Sequence, residues 1–317
     1  MLVMSALLVL VGIVGLFWGG EVLVTNAKRL AEHFGMSATA IGLTVVAFAT
    51  SAPELAAALT ANLKGSPDLA VGNAVGSNIA NVGLILGSTA LFFVLPAARR
   101  FIRREVVFMV AVTALMYPVL LTGGRIDRLE GMALFGVLVI FLWRLLKDPD
   151  HQQDYGDGEE GEGEAAADSA SAWRSSLGVA FGVVLLVAGA QALVIGASEI
   201  ARAVGISERV IGLTLVAIGT SLPELAASLV AGRRGEIDMV LGNIVGSNIF
   251  NLLCILGLTA VVAPLEVTPA VLGADYWMMF ATSALLLIFL GARRMLTRPE
   301  GLAFSAVYVA YTVYLFL

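Results

Sequence analysis

The segment VGNAVGSNIANVGLILG at residues 71–87 returns almost letter for letter as LGNIVGSNIFNLLCILG at residues 241–257. Read outward, the match grows: residues 41–87 and 211–257 align without a gap at an offset of 170, with 28 of 47 positions identical. It continues more weakly upstream, pairing Gly12 with Gly182, Gly19 with Gly189, Gly35 with Gly205 and Ser37 with Ser207. The chain is built from two copies of one unit.

Composition sets the solvent of that unit. Of 317 residues, 59% are hydrophobic and 14% charged, more apolar surface than one soluble core of this size hides. A helical crossing needs roughly 20 apolar residues, and the sequence offers ten such runs, at 2–31, 37–63, 67–94, 104–121, 128–146, 174–202, 208–232, 238–263, 271–291 and 300–316. Met1–Leu16 has no basic start and runs on into the first span, so it reads as part of that span and not as a cleaved leader. The single cysteine, Cys254, leaves no internal disulfide to form.

Lys and Arg orient the spans. With the N-terminus outside, the loops after spans 1, 3, 5, 7 and 9 are cytoplasmic, and they or their flanks hold 14 of the 19 basic residues. Only Lys64, Arg125, Arg128, Arg202 and Arg209 remain on the other side, so both termini are expected outside a cell (inner) membrane. The hydrophilic stretch after Lys147 carries nine acids and no Lys or Arg over residues 148–168. It reads as a disordered, solvated cytoplasmic linker, 148–173, between a first unit at 1–147 and a second at 174–317. It lacks the ligand spacing of an EF-hand loop. Each unit holds five spans, an odd number, so the second enters the membrane from the opposite side; Lys64 falls outside and its counterpart Arg234 inside. The expected fold is an all-α membrane protein of ten helices in two inverted five-helix repeats. That is an architecture of secondary transporters, with a site at the midplane.

Each copy also carries T-S-x-P-E in its second span: Thr50, Ser51, Pro53, Glu54 and Thr220, Ser221, Pro223, Glu224. A proline inside a helix donates no hydrogen bond and clashes with the carbonyl four residues back. The second and seventh spans should therefore break there, and the glycine- and asparagine-rich third and eighth are expected to be broken as well. Freed carbonyls at that depth are tolerable only around a cavity or a ligand, and a carboxylate there costs at least ~3 kcal/mol. Ser77 and Asn81 lie four apart on one helix face, as do Ser247 and Asn251, with Asn73 and Asn243 one turn earlier. Gly72, Gly76, Gly83, Gly242 and Gly246 let helices approach closely. Hydroxyl, amide, carbonyl and carboxylate oxygens without His or Cys form a donor set for hard cations. Two carboxylates match one calcium ion or two sodium ions. A cation channel could use similar oxygens; an intramembrane enzyme lacks a credible base, since His33 and His151 lie outside the spans.

These paired motifs resemble the two alpha repeats of the cation/calcium exchanger superfamily, of the prokaryotic sodium/calcium exchanger type, with alpha-1 at 41–87 and alpha-2 at 211–257. The resemblance implies exchange of entering sodium for leaving calcium by alternating access, with the first and sixth spans sliding on the other eight. It implies that Glu54 and Glu224 are central calcium ligands, helped by the backbone oxygens of Thr50 and Thr220. Sodium would use the carbonyls of Ala47 and Ala217, the hydroxyls of Thr50, Ser51, Ser77, Thr220, Ser221 and Ser247, and Asn81 at the middle. Asn251 departs from the archaeal-type pattern, which has an aspartate there; its loss disfavours potassium co-transport. Protons are the alternative driving ion. The partners are then two transported ions and the lipid bilayer, with no cofactor, no nucleic acid and no obligate protein partner. Glu21 in the first span reads as a snorkelling or hydrogen-bonded acid, with part of a gate as the alternative, and Asp68 and Asp238 as helix-start residues that cap a helix or face its dipole, with entry ligands as the alternative.

Overall fold

The computed structural model describes residues 2–121, 124–148, 169–206, 211, 215, 217–267 and 271–315. Most of the 148–173 linker and the start of the seventh span lie outside the described residues. The chain is helical almost throughout: α1 (Leu2–Phe34), α2 (Ala38–Thr50), α3 (Ala52–Leu63), α4 (Pro67–Phe92), α5 (Arg99–Leu121) and α6 (Arg128–Lys147), followed by α7 (Ser169–Ala203), α8 (Ala217–Gly219), α9 (Leu222–Arg233), α10 (Ile237–Val262), α11 (Gly273–Arg293) and α12 (Arg298–Tyr314). Seven of these are long and apolar enough to cross a membrane, and the bent pair α2–α3 brings the number to eight. The helix of the sixth span begins at Ser169, inside the segment expected as linker.

Local chemistry sets the boundaries, and it repeats between the copies. Ser37 caps α2 by accepting from Ala40 N–H at 3.1 Å. Asp127 with Glu130, and Thr297 with Glu300 at the equivalent positions, close capping boxes at α6 and α12. Gly35 and Gly205, like Gly65 and Gly235, end helices with positive φ. Asp68 and Asp238 stand in the first turns of α4 and α10; the cap position before α4 is Ser66, so the dipole and not a cap accounts for Asp68.

The copies are laced together by exchanged contacts. Strand β1 (Leu95–Pro96) pairs with β4 (Met295–Leu296), and β2 (Arg125–Ile126) with β3 (Leu265–Glu266), so each copy's first strand pairs with the other's second. A Cβ on Gly131 would meet Gly257 O at 2.7 Å, and one on Gly301 would meet Gly87 O at 2.7 Å, the same contact with the copies swapped. The two long helices α1 and α7 run antiparallel, with Gly12 against Gly189, Gly19 against Gly182 and Gly196 against Ser5. Here missing side chains permit backbone approach, the usual basis of helix packing in lipid.

These contacts sort the loops into two ends. At one, Lys28 Nζ meets Glu236 Oε1 at 2.6 Å, Arg100 meets Asp148 at 2.7 Å, β1 meets β4, and Gly232 packs on Phe93. At the other, β2 meets β3, Asn62 donates to Ala263 O at 2.8 Å, and Ser5 donates to Glu199 at 2.5 Å. The loops expected on one side of the membrane thus share one end of the molecule.

Candidate functional site

The second span breaks where T-S-x-P-E places it. Ser51, at φ −84° and ψ 0°, separates α2 from α3, and the two halves bend by 42°. Pro53 then falls in the first turn of α3, where its missing N–H is no loss. Thr220 and Ser221 interrupt the seventh span in the same way, between α8 and α9. Each break therefore opens a new helix N-terminus with a glutamate, Glu54 or Glu224, in its first turn. Partial positive charge at such an end favours an anion and the cation-binding role a carboxylate can play there.

The third and eighth spans are not broken. Each is one continuous helix of 26 residues, contrary to the sequence expectation. They contain no interior proline; each instead widens into a π-helical segment, Asn81–Leu86 in α4 and Asn251–Ile255 in α10, each begun by the candidate asparagine. A π turn accommodates an extra residue while keeping its backbone bonded, and it re-aims the side chains at its start. Helix α3 packs against the π segment of α10, and α9 against that of α4, so each glutamate helix meets the other copy's π segment.

Thr50, Ser51, Glu54, Ser77, Asn81, Ser221, Glu224, Ser247 and Asn251 are all buried, Ala47 is buried beside them, and Thr220 is half-buried at the mouth of a cleft. Ala217 opens α8. Direct links cross between copies: Ser51 Oγ lies 3.4 Å from Glu224 Oε1, and Thr50 Oγ1 lies 3.3 Å from Asn243 Oδ1. Glu54 and Glu224 are both buried among these groups. Neither has a Lys or Arg partner among the described residues; both oxygens of Glu54 and Oε2 of Glu224 make no hydrogen bond. Both amide atoms of Asn81, Ser247 Oγ and Asn251 Oδ1 are likewise buried and unbonded. Buried polar atoms of native proteins are nearly always satisfied, so such a concentration of oxygens is what a desolvated hard cation would use.

The carbonyls differ between copies. Ser51 N–H donates to Ala47 O at 3.0 Å and Thr50 Oγ1 lies 3.4 Å from the same oxygen, whereas Ser221 N–H donates to Ile218 O at 3.0 Å. The glycine expectation holds in α10: a Cβ on Gly242 would stand 2.6 Å from Thr39 O and one on Gly246 2.8 Å from Leu43 O. Gly83 packs on Tyr308. Gly72 and Gly76 have no neighbour within 4 Å among the described residues, and the counterparts of Thr39 and Leu43 fall outside them.

Several partners were not legible in the sequence. Asn78 donates to Asn248 O at 3.2 Å and accepts from Asn251 Nδ2 at 2.9 Å, tying the repeated strings to each other. Their position in both copies marks them as paired, but the face they occupy follows only from the fold. Glu21 is neither snorkelling nor simply hydrogen-bonded: it forms ion pairs with Arg233 and Arg234, whose nearness needs α9 to fold back on α1. A cleft of about 630 Å³ runs between α3 and α7 to Thr220 and Pro223.

Comparison with known proteins agrees with this geometry. The sodium/calcium exchanger protein family model matches residues 4–147 and 174–317. CaxA of Alkalimonas amylolytica is 41% identical over 99% of both chains. The sodium/calcium exchanger MaX1 of Methanosarcina acetivorans is 32% identical over 100% of this chain and 99% of its own. The sodium-calcium exchanger NCX_Mj, solved after a soak in sodium without calcium, superposes with a TM-score of 0.83 at 29% identity over 99% of both chains. On these matches and this architecture, the chain is a multi-pass membrane protein that belongs to the sodium/calcium exchanger family of cation antiporters.

Proposed function

We propose that the protein exchanges sodium for calcium across the cell membrane by alternating access, through ten spans arranged as two inverted five-span units. The observation that carries this reading is the convergence of Glu54 and Glu224, with no Lys or Arg partner among the described residues and with oxygens left unbonded, between two helix breaks and two π segments. Two like charges held this deep favour an occupied site over an empty one, because crossing with uncompensated carboxylates costs several kcal/mol. One calcium ion or two sodium ions supply the same compensation, so the site exchanges ions and does not leak. The remaining ligands are Thr50, Ser51, Ser77, Asn81, Thr220, Ser221, Ser247 and Asn251 with the carbonyls of Ala47 and Ala217. The copy-swapped contacts support the inverted arrangement, and the gathering of odd-numbered loops at one end supports cytoplasmic placement of that end and of the acidic linker. The similarity to MaX1 and NCX_Mj, both named sodium/calcium exchangers, favours sodium as the driving ion.

Proteoliposomes loaded with sodium and diluted into sodium-free radiocalcium test the reading. Uptake should follow the sodium gradient, and Glu54→Gln or Glu224→Gln should lower it at least about tenfold, the equivalent of ~1.4 kcal/mol. Full uptake in either variant sinks the proposed site; uptake driven only by a proton gradient reassigns the coupling ion.

A further inference from the structure

The two copies differ most where α1 meets α9. Gly20 of α1 packs against Val230 and Ala226 of α9, closing that side. The corresponding residues of the other copy, Ala190, Thr60 and Ala56, line the 630 Å³ cleft instead. One approach to the site is shut and its mirror image is open.

The shut side carries ion pairs whose mirrored positions cannot form them. Glu21, whose side chain is 10% exposed, pairs with Arg233 and Arg234, the latter through Nε at 2.8 Å. Arg233 also lies over the Phe17 ring, 5.0 Å from its centroid. Two turns further along α1, Lys28 holds Glu236 at 2.6 Å. Counting 170 residues across, Glu21 becomes Gln191, Arg233 and Arg234 become Leu63 and Lys64, Lys28 becomes Ser198, and Glu236 becomes Ser66. The backbone unit is duplicated but these ion pairs are written into one copy alone.

We infer that Glu21 with Arg233 and Arg234, backed by Lys28 with Glu236, is an ionic latch that holds one mouth closed and sets the resting state with the α3–α7 cleft open. A largely buried carboxylate bonded to two guanidinium groups forms a network that contributes more than an isolated exposed pair. Opening the shut side separates the charges, whereas closing the cleft gains no such pairs. A device of this kind shifts an equilibrium only by the difference it makes between the two states, and here the difference is one-sided. The inference rests on the alternating-access reading but not on which ions are carried.

Full-length protein in nanodiscs, with Cys254→Ser as background, tests it by thiol labelling. The thiol from Thr60→Cys reports the cleft and that from Val230→Cys the shut side. In Glu21→Gln, and more weakly in Glu236→Gln, cleft labelling should slow and shut-side labelling quicken by about fivefold or more, a usual size for coupling between two states. Gln191→Glu, which offers Lys64 a partner in the mirrored position, should slow cleft labelling without touching the latch. Unchanged labelling in Glu21→Gln overturns the inference. So does faster labelling at both positions, which marks a structural staple whose loss merely loosens the fold. Reciprocal labelling in a protein that moves no calcium would uphold the latch and discard the exchange reading.

Discussion

Asn251 donates its side-chain amide to Asn78 Oδ1 at 2.9 Å, whereas Asn81, its counterpart, has neither amide atom bonded. The same letter in two copies thus stands differently: the Asn251 amide nitrogen ties the copies together while its Oδ1, like both amide atoms of Asn81, stays unbonded. Asn251→Asp replaces the donor by a second acceptor against Asn78 and should cost about 1–3 kcal/mol. Asn81→Asp breaks no bond. In ion-free detergent Asn251→Asp should melt below Asn81→Asp; equal melting contradicts the assignment.

Ser247 is buried with an unbonded hydroxyl, and Ser51 touches Glu224 at 3.4 Å, too long to be a strong bond. Neither hydroxyl therefore holds the empty fold together. Ser247→Ala and Ser51→Ala should leave the stability within about 0.5 kcal/mol of the parent and raise the half-saturating sodium concentration for exchange. Lower stability with unaltered sodium dependence would assign the hydroxyls to packing.

Pro53 prevents an amide hydrogen bond to Ala49 O and so preserves the bend between α2 and α3. Pro53→Ala supplies the missing donor and should straighten the span. The expected result is a protein at least as thermostable as the parent with slower calcium uptake. Uptake at the parental rate would mean that the break is set by other residues.

Gly42 stands where a Cβ would meet Met239 O at 2.7 Å, backbone that has nowhere to retreat. Gly291, exposed in α11, has nothing near it among the described residues. Gly42→Ala should cost several kcal/mol, with overpacking typically ~1–3 kcal/mol before any helix shift. Gly291→Ala should be neutral or gain up to about 1 kcal/mol from helix propensity. Thermal melting of the two variants decides between a packing seam and a mere absence of side chains.

The sequence makes plain the elements whose cause is local. T-S-x-P-E locates the breaks because proline acts on its own helix, and the apolar runs locate the spans because lipid acts on each run separately. The π segments at Asn81 and Asn251 have no such signal: a widened turn depends on what packs around it. The Glu21 pairs were hidden for a related reason, since residues 21 and 233 come together only after α9 docks on α1. The candidate ligands were found as letters, but the division of labour between Asn81 and Asn251 belongs to the tertiary fold.

The exchanged strand pairs bear on how the chain is made. Leu95 must wait for Leu296, about 200 residues later, before its ladder closes, and Arg125 waits for Glu266. Neither half can complete its own ends, so the first five spans leave the ribosome with loops that only their twin can satisfy. Synthesis of this protein therefore passes through a half-built state in which these strand pairs are still unformed.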